Sequence, residues 1–387
     1  MMTCERQSCC TRRHCLLFTL AIAAVFFIHY MNILEMGSDW NPKLWMQNHS
    51  PKLFIPFGEL SPNETMEEST SSSLEYPETE RQPSTRGTTT PQATTVLQTA
   101  RATPVPYVSP GPYIVEYPYE YRFTINEPHK CEQEQPFVIL IVQVAPNNRP
   151  HRDIIRSTWG AESLVVGKVV KLVFLVGQKT GEEAEQLQKE LQQESNEHHD
   201  LIQSDFIDCY KNLTIKSMVM LEWVNTHCSS ASYAMKIDSD MFLNVPNLIN
   251  MLLKAPKTNY MTGLVAYGGP VLRDPSSKWY LPVEVFSQAV YPPYALGLGY
   301  VLSVDLPKKL IEASRHVKAL YIEDVYLGLC MQHLGIPPTN PPSGNHFHVV
   351  PLSYNRCTFF HIVATTLHPN EDRMWLWKDF KKNDPYC

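Results

Sequence analysis

The residues best suited to chemistry are four carboxylates in two pairs, Asp238 with Asp240 and Glu323 with Asp324. The first pair closes the run Tyr233-Ala-Met-Lys-Ile-Asp-Ser-Asp-Met-Phe242, in which apolar residues lead into two aspartates separated by a serine. That pattern reads as a buried strand stopping at an acidic edge. On a regular strand, side chains at i and i+2 point the same way, so two unpaired carboxylates there are costly. A divalent cation offsets the repulsion, and hard cations such as Mg²⁺ and Mn²⁺ share their remaining positions with phosphate oxygens. The spacing therefore predicts an Asp-x-Asp site for a metal and a diphosphate at the C-terminal end of a strand, where open α/β sheets bind ligands. A plain acidic turn carries the same letters.

The second pair opens a helix predicted from Glu323 to His333. Acidic residues in a first turn are favoured by the helix dipole, and a carboxylate fixed at a cleft wall can also act as a general base. Between the pairs lie Lys278-Trp-Tyr-Leu281 and Tyr291-Pro-Pro-Tyr-Ala-Leu-Gly-Leu-Gly-Tyr300. Trp279, Tyr280, Tyr291 and Tyr294 among prolines and glycines make a poor core strand and a reasonable carbohydrate platform, since flat rings stack on a sugar face. Gly297 and Gly299 would let a ligand approach the backbone, or allow a turn. A Pro/Gly loop with packed tyrosines is the plainer alternative.

These groups must be held by an α/β framework. Phe137 to Val144 is an unbroken apolar run, the pattern of a strand buried on both faces in a parallel sheet. A helix follows with Arg152 and Arg156 on one face, then strand Lys171–Val176, a polar helix from Glu182 to His198 and a short strand at Asp200–Gln203. A helix from Leu213 to Thr226 leads to the acidic strand. Helix Asn247–Lys254, strand Tyr260–Tyr267 and a helix from Asp305 to Arg315 come later. Alternating strands and helices of this kind imply a doubly wound α/β domain.

The front of the chain is different. Of 387 residues, Leu16 to Leu34 are mostly apolar, about the length that crosses a bilayer as a helix. Arg6, Arg12 and Arg13 precede it while Glu35 and Asp39 follow, which places the N-terminus in the cytosol. The small residues Ala21-Ile-Ala23 sit inside the run rather than after it, so an uncleaved anchor fits better than a cleaved signal peptide. From about Asn48 to Pro112 Ser, Thr, Pro, Glu and Gln dominate, most strongly at Thr88-Thr-Thr-Pro91, and residues 35–126 read as an extended stem. The expected organisation is a tail at 1–15, an anchor at 16–34, that stem, and a folded lumenal domain at 127–387. Asn48, Asn63 and Asn212 head glycosylation sequons, which require the lumenal topology. The net charge of −6 and the absence of a basic stripe argue against a nucleic-acid partner.

Six cysteines follow the stem. In an oxidising lumen they suggest disulfides, and the expected pairs are Cys131 with Cys228, each just before a predicted strand, and Cys330 with Cys357. None of the six forms a Cys-x-x-Cys spacing, which argues against zinc.

Six blocks in order resemble the Golgi β-1,3-glycosyltransferase family, closest to its β-1,3-galactosyltransferases. They are Arg152-x-x-x-Arg156-x-Thr158-Trp159, Phe174-Leu-Val-Gly177, Asp205-Phe-x-Asp208-x-Tyr210-x-Asn212-Leu-Thr-x-Lys216, Lys236-x-Asp-Ser-Asp-Met-Phe242, Tyr291-Pro-Pro-Tyr-x-x-Gly-x-Gly-Tyr300 and Glu323-Asp-Val-Tyr-x-Gly328. The resemblance runs from about Glu127 to Pro369. It implies a GT-A fold, a UDP-sugar donor, Mn²⁺, and single-displacement transfer with inversion. It matches Asp238, Ser239 and Asp240 to the metal and diphosphate motif with Lys236 beside them, Arg152, Arg156 and Trp159 to the nucleotide pocket, and Asp324 to the base with Glu323 as its neighbour.

One position departs from the family pattern. Nine residues after Cys357, where the family places a metal-binding histidine, this chain has Thr366. His368 and His361 are the nearest replacements. The expected function is a β-1,3-galactosyltransferase acting from UDP-galactose on N-acetylglucosamine-terminated glycoproteins or glycolipids at the Golgi membrane. The alternatives are an N-acetylglucosaminyltransferase using UDP-N-acetylglucosamine, and a non-catalytic membrane lectin or folding partner on the same framework.

Overall fold

The structure is a computed structural model and describes residues 111–132 and 135–382. The tail, the expected anchor, residues 35–110 of the stem and the sequons at Asn48 and Asn63 lie outside the described residues. Among the described residues no helix is long and apolar enough to cross a membrane.

The main sheet contains β1 (Phe123–Ile125), β2 (Val138–Gln143), β3 (Leu164–Val165), β4 (Lys168–Gln178), β5 (Leu201–Ile207), β6 (Tyr233–Asp238), β8 (Met261–Ala266) and β9 (Tyr294–Ser303). Its order is β1-β5-β4-β2-β6-β9-β8, with β3 paired to β4. Strands β5, β4, β2 and β6 run parallel, while β9 is antiparallel to both β6 and β8. Helices α1 (Arg149–Arg156), α2 (Ala184–His198), α3 (Leu213–His227), α4 (Val245–Leu252), α5 (Leu306–Ser314) and α6 (Glu323–His333) complete the layers. The arrangement is GT-A-like, a doubly wound mixed sheet with helices on both faces.

The unbroken apolar strands follow from this layering. Ile139 and Ile141 of β2 join the core shared with α3, α5 and α6, whereas Val138, Leu140 and Val142 join the opposite core with α1 and α4. A period of two thus sends alternate side chains into two separate cores, and both must be apolar.

Three sequence expectations need correction. Residues 111–126, assigned to the stem, belong to the fold: β1 pairs antiparallel with β5, the Val115 amide donates to the Ala319 carbonyl at 2.8 Å, and the Tyr117 hydroxyl donates to Glu222 at 2.6 Å. The segment Tyr291–Tyr300 reads in sequence as a poor core strand, yet Tyr294–Ser303 forms β9 inside the sheet, between β6 and the edge strand β8. Close packing against α6 needs a bare position on each side, Gly297 on β9 and Gly328 on the helix. A Cβ on Gly328 of α6 would stand 2.6 Å from the Tyr294 Cβ, so α6 approaches β9 only because that position is bare. Finally, Cys131 and Cys228 are disulfide-bonded as expected, but Cys330 is a buried free thiol, so it is not the partner of Cys357. Cys357 is itself engaged in a disulfide. Cys330 lies in the middle of α6 with its side chain in the apolar core, which leaves it no access to a partner.

The chain after α6 forms β10 (Phe347–His348), α7 (Arg356–His361), β11 (Ala364–Thr366) and α8 (Arg373–Phe380). Strand β11 lies between β10 and β7 (Met241–Leu243) in a second, three-stranded sheet. The C-terminal segment therefore returns to the residues directly after the acidic edge.

Arg152 and Arg156 brace α1 against α2. Arg152 is 1% exposed; its Nε and Nη2 donate to Glu194 at 2.7 and 2.6 Å, and its Nη1 donates to the carbonyls of Ala145 and Pro146 at 3.1 and 3.2 Å. Arg156 donates to Asp153, Glu194 and Asp200. Removing one partner of a buried pair leaves an uncompensated charge. Glu194→Gln is expected to lower the unfolding free energy by about 3–5 kcal/mol, measured by urea titration of the full chain. A separate measurement checks the cysteine assignment: in the native chain an alkylating reagent modifies exposed Cys209 and spares Cys330, whose pKa burial pushes up to about 12. Peptide mapping that finds Cys330 modified before denaturation contradicts it.

Candidate active site

The site lies at the C-terminal edges of β2 and β6, where Gln143 and Asp238 stand side by side in register. Strand β6 ends at Asp238, and the chain turns at Ser239 and Asp240 before β7 begins. The two carboxylates therefore do not project from one regular strand, as the i and i+2 spacing suggested. The turn arises because β7 leaves the main sheet to pair with β11.

Asp238 accepts from the Lys236 Nζ at 2.7 Å. Burial, only partly offset by Lys236, pushes the Asp238 carboxyl up to about 6, although its side chain stays 40% exposed toward the cleft. The Lys236 ammonium also donates to the Gly297 carbonyl on β9. Burial alone would lower its pKa, but Asp238, Glu323 and Asp324 outweigh that and hold it above the ordinary lysine value.

Gly297 joins the two halves of the site. Its carbonyl faces Lys236, and its amide donates to Asp324 Oδ2 at 3.0 Å. A Cβ there would lie 2.8 Å from Glu323 Oε2 and 3.5 Å from Asp324 Oδ2, so only glycine lets the acidic start of α6 sit against β9. The other Asp324 oxygen accepts from the Val325 amide at 2.8 Å. Burial raises the Asp324 pKa against these hydrogen bonds. Glu323 is more enclosed: its Oε1 accepts from Ser217 and Tyr300 at 2.8 Å each, and Gln143 Nε2 donates to Ser217 at 2.9 Å. Of the two acids, Asp324 is therefore the one suited to take a proton, while Glu323 fixes the start of α6.

The residues expected to meet the donor divide into two groups. Lys236, Asp238, Ser239 and Asp240 converge on the acidic edge. Arg152 and Arg156 do not face it, because their guanidinium groups are committed to α2, and Trp159 is buried with its Nε1 donating to the Met241 carbonyl at 3.2 Å. Their contribution is to hold the loop after β2 and the start of β7.

The expected acceptor residues divide similarly. Trp279, Tyr280 and Tyr294 are half-buried, whereas Tyr291 is 6% exposed and offers no ring face to a sugar. Gly299 is paired with Ile237 inside the sheet, so it does not approach a ligand. Tyr210, absent from the expected site, is 45% exposed beside Trp279. Burial and then the negative charges of Asp324, Glu323 and Asp238 raise its pKa, which places it over the acidic cleft. The Lys278 Nζ lies 5.6 Å from the Tyr210 ring centroid and 4.3 Å from that of Trp279. The signal for Tyr210 was its place in the Asp205–Lys216 block. In that block Lys216 donates to Asp208 at 2.7 Å and to the Val144 carbonyl at 2.8 Å, fixing the end of β2. Asn212 is partly exposed, with its amide donating to the Ile207 carbonyl at 2.8 Å.

His368 is exposed and lies close in sequence to Leu367, whose amide donates to the Asp240 carbonyl at 3.0 Å. Thr366 pairs with Met241, and its hydroxyl donates to the Met241 sulfur at 3.3 Å. Among the described residues no three His, Cys, Asp or Glu side chains come together as a metal-binding group. With Asp238 committed to Lys236 and Thr366 to Met241, these side chains do not fit a metal centre completed by histidine. His151 and Arg373, which the sequence did not single out, flank the edge instead: His151 Nδ1 is 3.1 Å from the Ser239 Oγ, and Arg373 Nη1 donates to the Ser239 carbonyl at 2.9 Å.

Comparison with known proteins fits this arrangement. A family model described as galactosyltransferase matches residues 150–342. Beta-1,3-galactosyltransferase 2 of Homo sapiens is 38% identical over 266 residues, 68% of this chain and 63% of that protein. Beta-1,3-galactosyltransferase 1 of Mus musculus is 38% identical over 262 residues, 67% of this chain and 78% of that protein. The chain thus spans just under two thirds of the first relative and more than three quarters of the second. A bifunctional glycosyltransferase, WbbM, covers 63% of this chain at 11% identity with a TM-score of 0.34, a likeness too slight to bear on the fold. On its sequence identity over most of the length of galactosyltransferase 1, the chain belongs to the β-1,3-galactosyltransferase family.

Proposed function

We propose that the protein is an inverting β-1,3-galactosyltransferase, anchored in the Golgi membrane as a type II protein, that moves galactose from UDP-galactose to the 3-hydroxyl of N-acetylglucosamine-terminated glycans. The observation that carries this reading is Gly297, which holds Asp324 on its amide and Lys236 on its carbonyl. A proton acceptor and the edge that would receive the donor diphosphate are thereby fixed to the same strand. The Cys131–Cys228 disulfide supports an oxidising, lumenal setting for the folded part.

In this reaction the acceptor oxygen forms a bond to the anomeric carbon while the bond from that carbon to the UDP oxygen breaks. The electron pair leaves with the β-phosphate, and the acceptor proton passes to Asp324. One displacement from the face opposite the leaving group converts an α-linked donor into a β-linkage. Holding the reactants in line accounts for much of such a rate enhancement, and Tyr210 and Trp279, which stand side by side, would orient the acceptor. Manganese is the cofactor the family resemblance implies. Because the side chains do not complete a histidine-bearing centre, the base and the positioning groups of the chain itself carry these steps.

Assay of the full chain in detergent with UDP-galactose and UDP-N-acetylglucosamine, each against N-acetylglucosamine and galactose acceptors, tests the donor. Transfer from UDP-galactose to N-acetylglucosamine is expected. Strict use of UDP-N-acetylglucosamine would assign the alternative transferase, and UDP binding without any transfer the non-catalytic one.

Asp324 must be ionised to accept a proton, and its folded pKa is raised by burial. Activity is therefore retained above that raised pKa and lost as pH falls through it, at a pH above the usual carboxylate range. Asp324→Asn is expected to cut kcat by about 10²-fold or more while leaving UDP affinity within about twofold. Turnover near the wild-type level in this variant would remove Asp324 as the base.

A further inference from the structure

The acidic edge carries a cation that no sequence block announced. Arg373 opens α8, the last helix among the described residues, and reaches across 134 positions of sequence to the Ser239 carbonyl, inside the Asp-x-Asp turn. Arg373 lines one small pocket with Trp159, Met241 and Leu367, the residues that tie β7 to α1 and to the C-terminal segment, and its hydrogen bond to Ser239 anchors the guanidinium there. Only one of its five N–H groups is used, by the Ser239 carbonyl, and no carboxylate lies within ion-pairing distance of it among the described residues. Asp240 is close enough for its charge to act on Arg373, yet among the described residues its own carboxylate accepts no hydrogen bond. The other candidate cation is His151. Its Nδ1 already lies 3.1 Å from the Ser239 Oγ, and an imidazole is charged only when protonated, whereas a guanidinium always is. The permanent positive charge at this end of the edge is therefore Arg373.

A half-buried guanidinium with free N–H groups beside the Asp-x-Asp turn is suited to bidentate binding of a phosphate oxygen pair. The opposite end of the edge is already neutralised, because Lys236 is bound to Asp238 and to the Gly297 carbonyl. The third place beside the turn is taken by Thr366, whose hydroxyl points to a sulfur and offers no strong metal ligand. We propose that Arg373 is a donor-binding residue, supplied by the C-terminal segment, that contacts the terminal phosphate of a nucleoside diphosphate at the Asp240 end of the edge. This rests on the nucleotide-sugar reading above and adds to it the group that recognises the diphosphate. A terminal phosphate bound in this way also places the leaving-group charge against a fixed cation as the sugar departs.

The test is calorimetric titration of the full chain in detergent with UDP and with UMP, each with Mn²⁺ and with EDTA. Wild type is expected to bind UDP more tightly than UMP. Arg373→Gln is expected to weaken UDP at least tenfold in both buffers and UMP less than threefold, collapsing the ratio between the two, and Arg373→Lys to restore part of the UDP affinity. Equal weakening of UDP and UMP would reduce Arg373 to a structural support, and an unchanged UDP affinity would remove it from the site; either result overturns the proposal. Wild type that turns over UDP-galactose while Arg373→Gln keeps its UDP affinity would sink this inference alone. Wild type that binds neither nucleotide would sink the nucleotide-sugar reading and this inference with it.

Discussion

The constraint on which the site depends is a buried ammonium. Lys236 is 4% exposed and lies among Asp238, Glu323 and Asp324, with the Gly297 carbonyl as its second partner. Three carboxyls gathered in one enclosed region repel one another and resist desolvation, and a single cation between them makes the cluster tolerable. Because Lys236 sits on β6 and pairs in register with Tyr300 of β9, that cation is placed by an interior hydrogen-bond ladder of the sheet rather than by a loop. The geometry of both acidic pairs is thereby as rigid as the core beneath them.

Close packing carries the same rigidity outward. Two glycines let α6 press onto β9: Gly297 admits the acidic start of the helix, and Gly328 admits Tyr294 one turn later. Glu323 is then locked by Ser217, Tyr300 and, through Ser217, Gln143, so that β2, α3, β9 and α6 all meet at one carboxylate. A fully satisfied buried network of this kind fixes one arrangement, since any shift leaves a polar group unpaired. Asp324, one residue on, inherits its position from that network while keeping an outlook on the cleft.

The opposite wall is built from the end of the chain. Strand β11 pairs with β7 and draws the chain out of the main sheet right after Asp238, which is why Asp240 sits in a turn. The same pairing brings Leu367, Thr366 and Arg373 alongside the acidic edge. The edge is thus shared by two segments far apart in sequence, one supplying carboxylates and the other a guanidinium.

Much of this was legible in the sequence. Continuous apolar runs marked the parallel strands because both faces are buried, and the Asp-x-Asp and Glu-Asp pairs marked the two chemical ends of the cleft. The pairing of Cys131 with Cys228 followed from their places just before predicted strands. The local pattern went wrong wherever a side chain's partner comes from a distant element. Arg152 looked free to bind a ligand, but Glu194, 42 residues on, claims it. Tyr291 looked like an exposed platform, but it is buried beside an interior strand that its glycines had disguised. Cys330 looked available for pairing, but its helix turns it into the core. Sequence alone determined which elements form and which residue types gather at the cleft, because periodicity and charge are local properties. Which of those side chains remain free, and that Arg373 joins them, was decided only by tertiary packing, which spends each polar group on whichever partner the fold brings nearest.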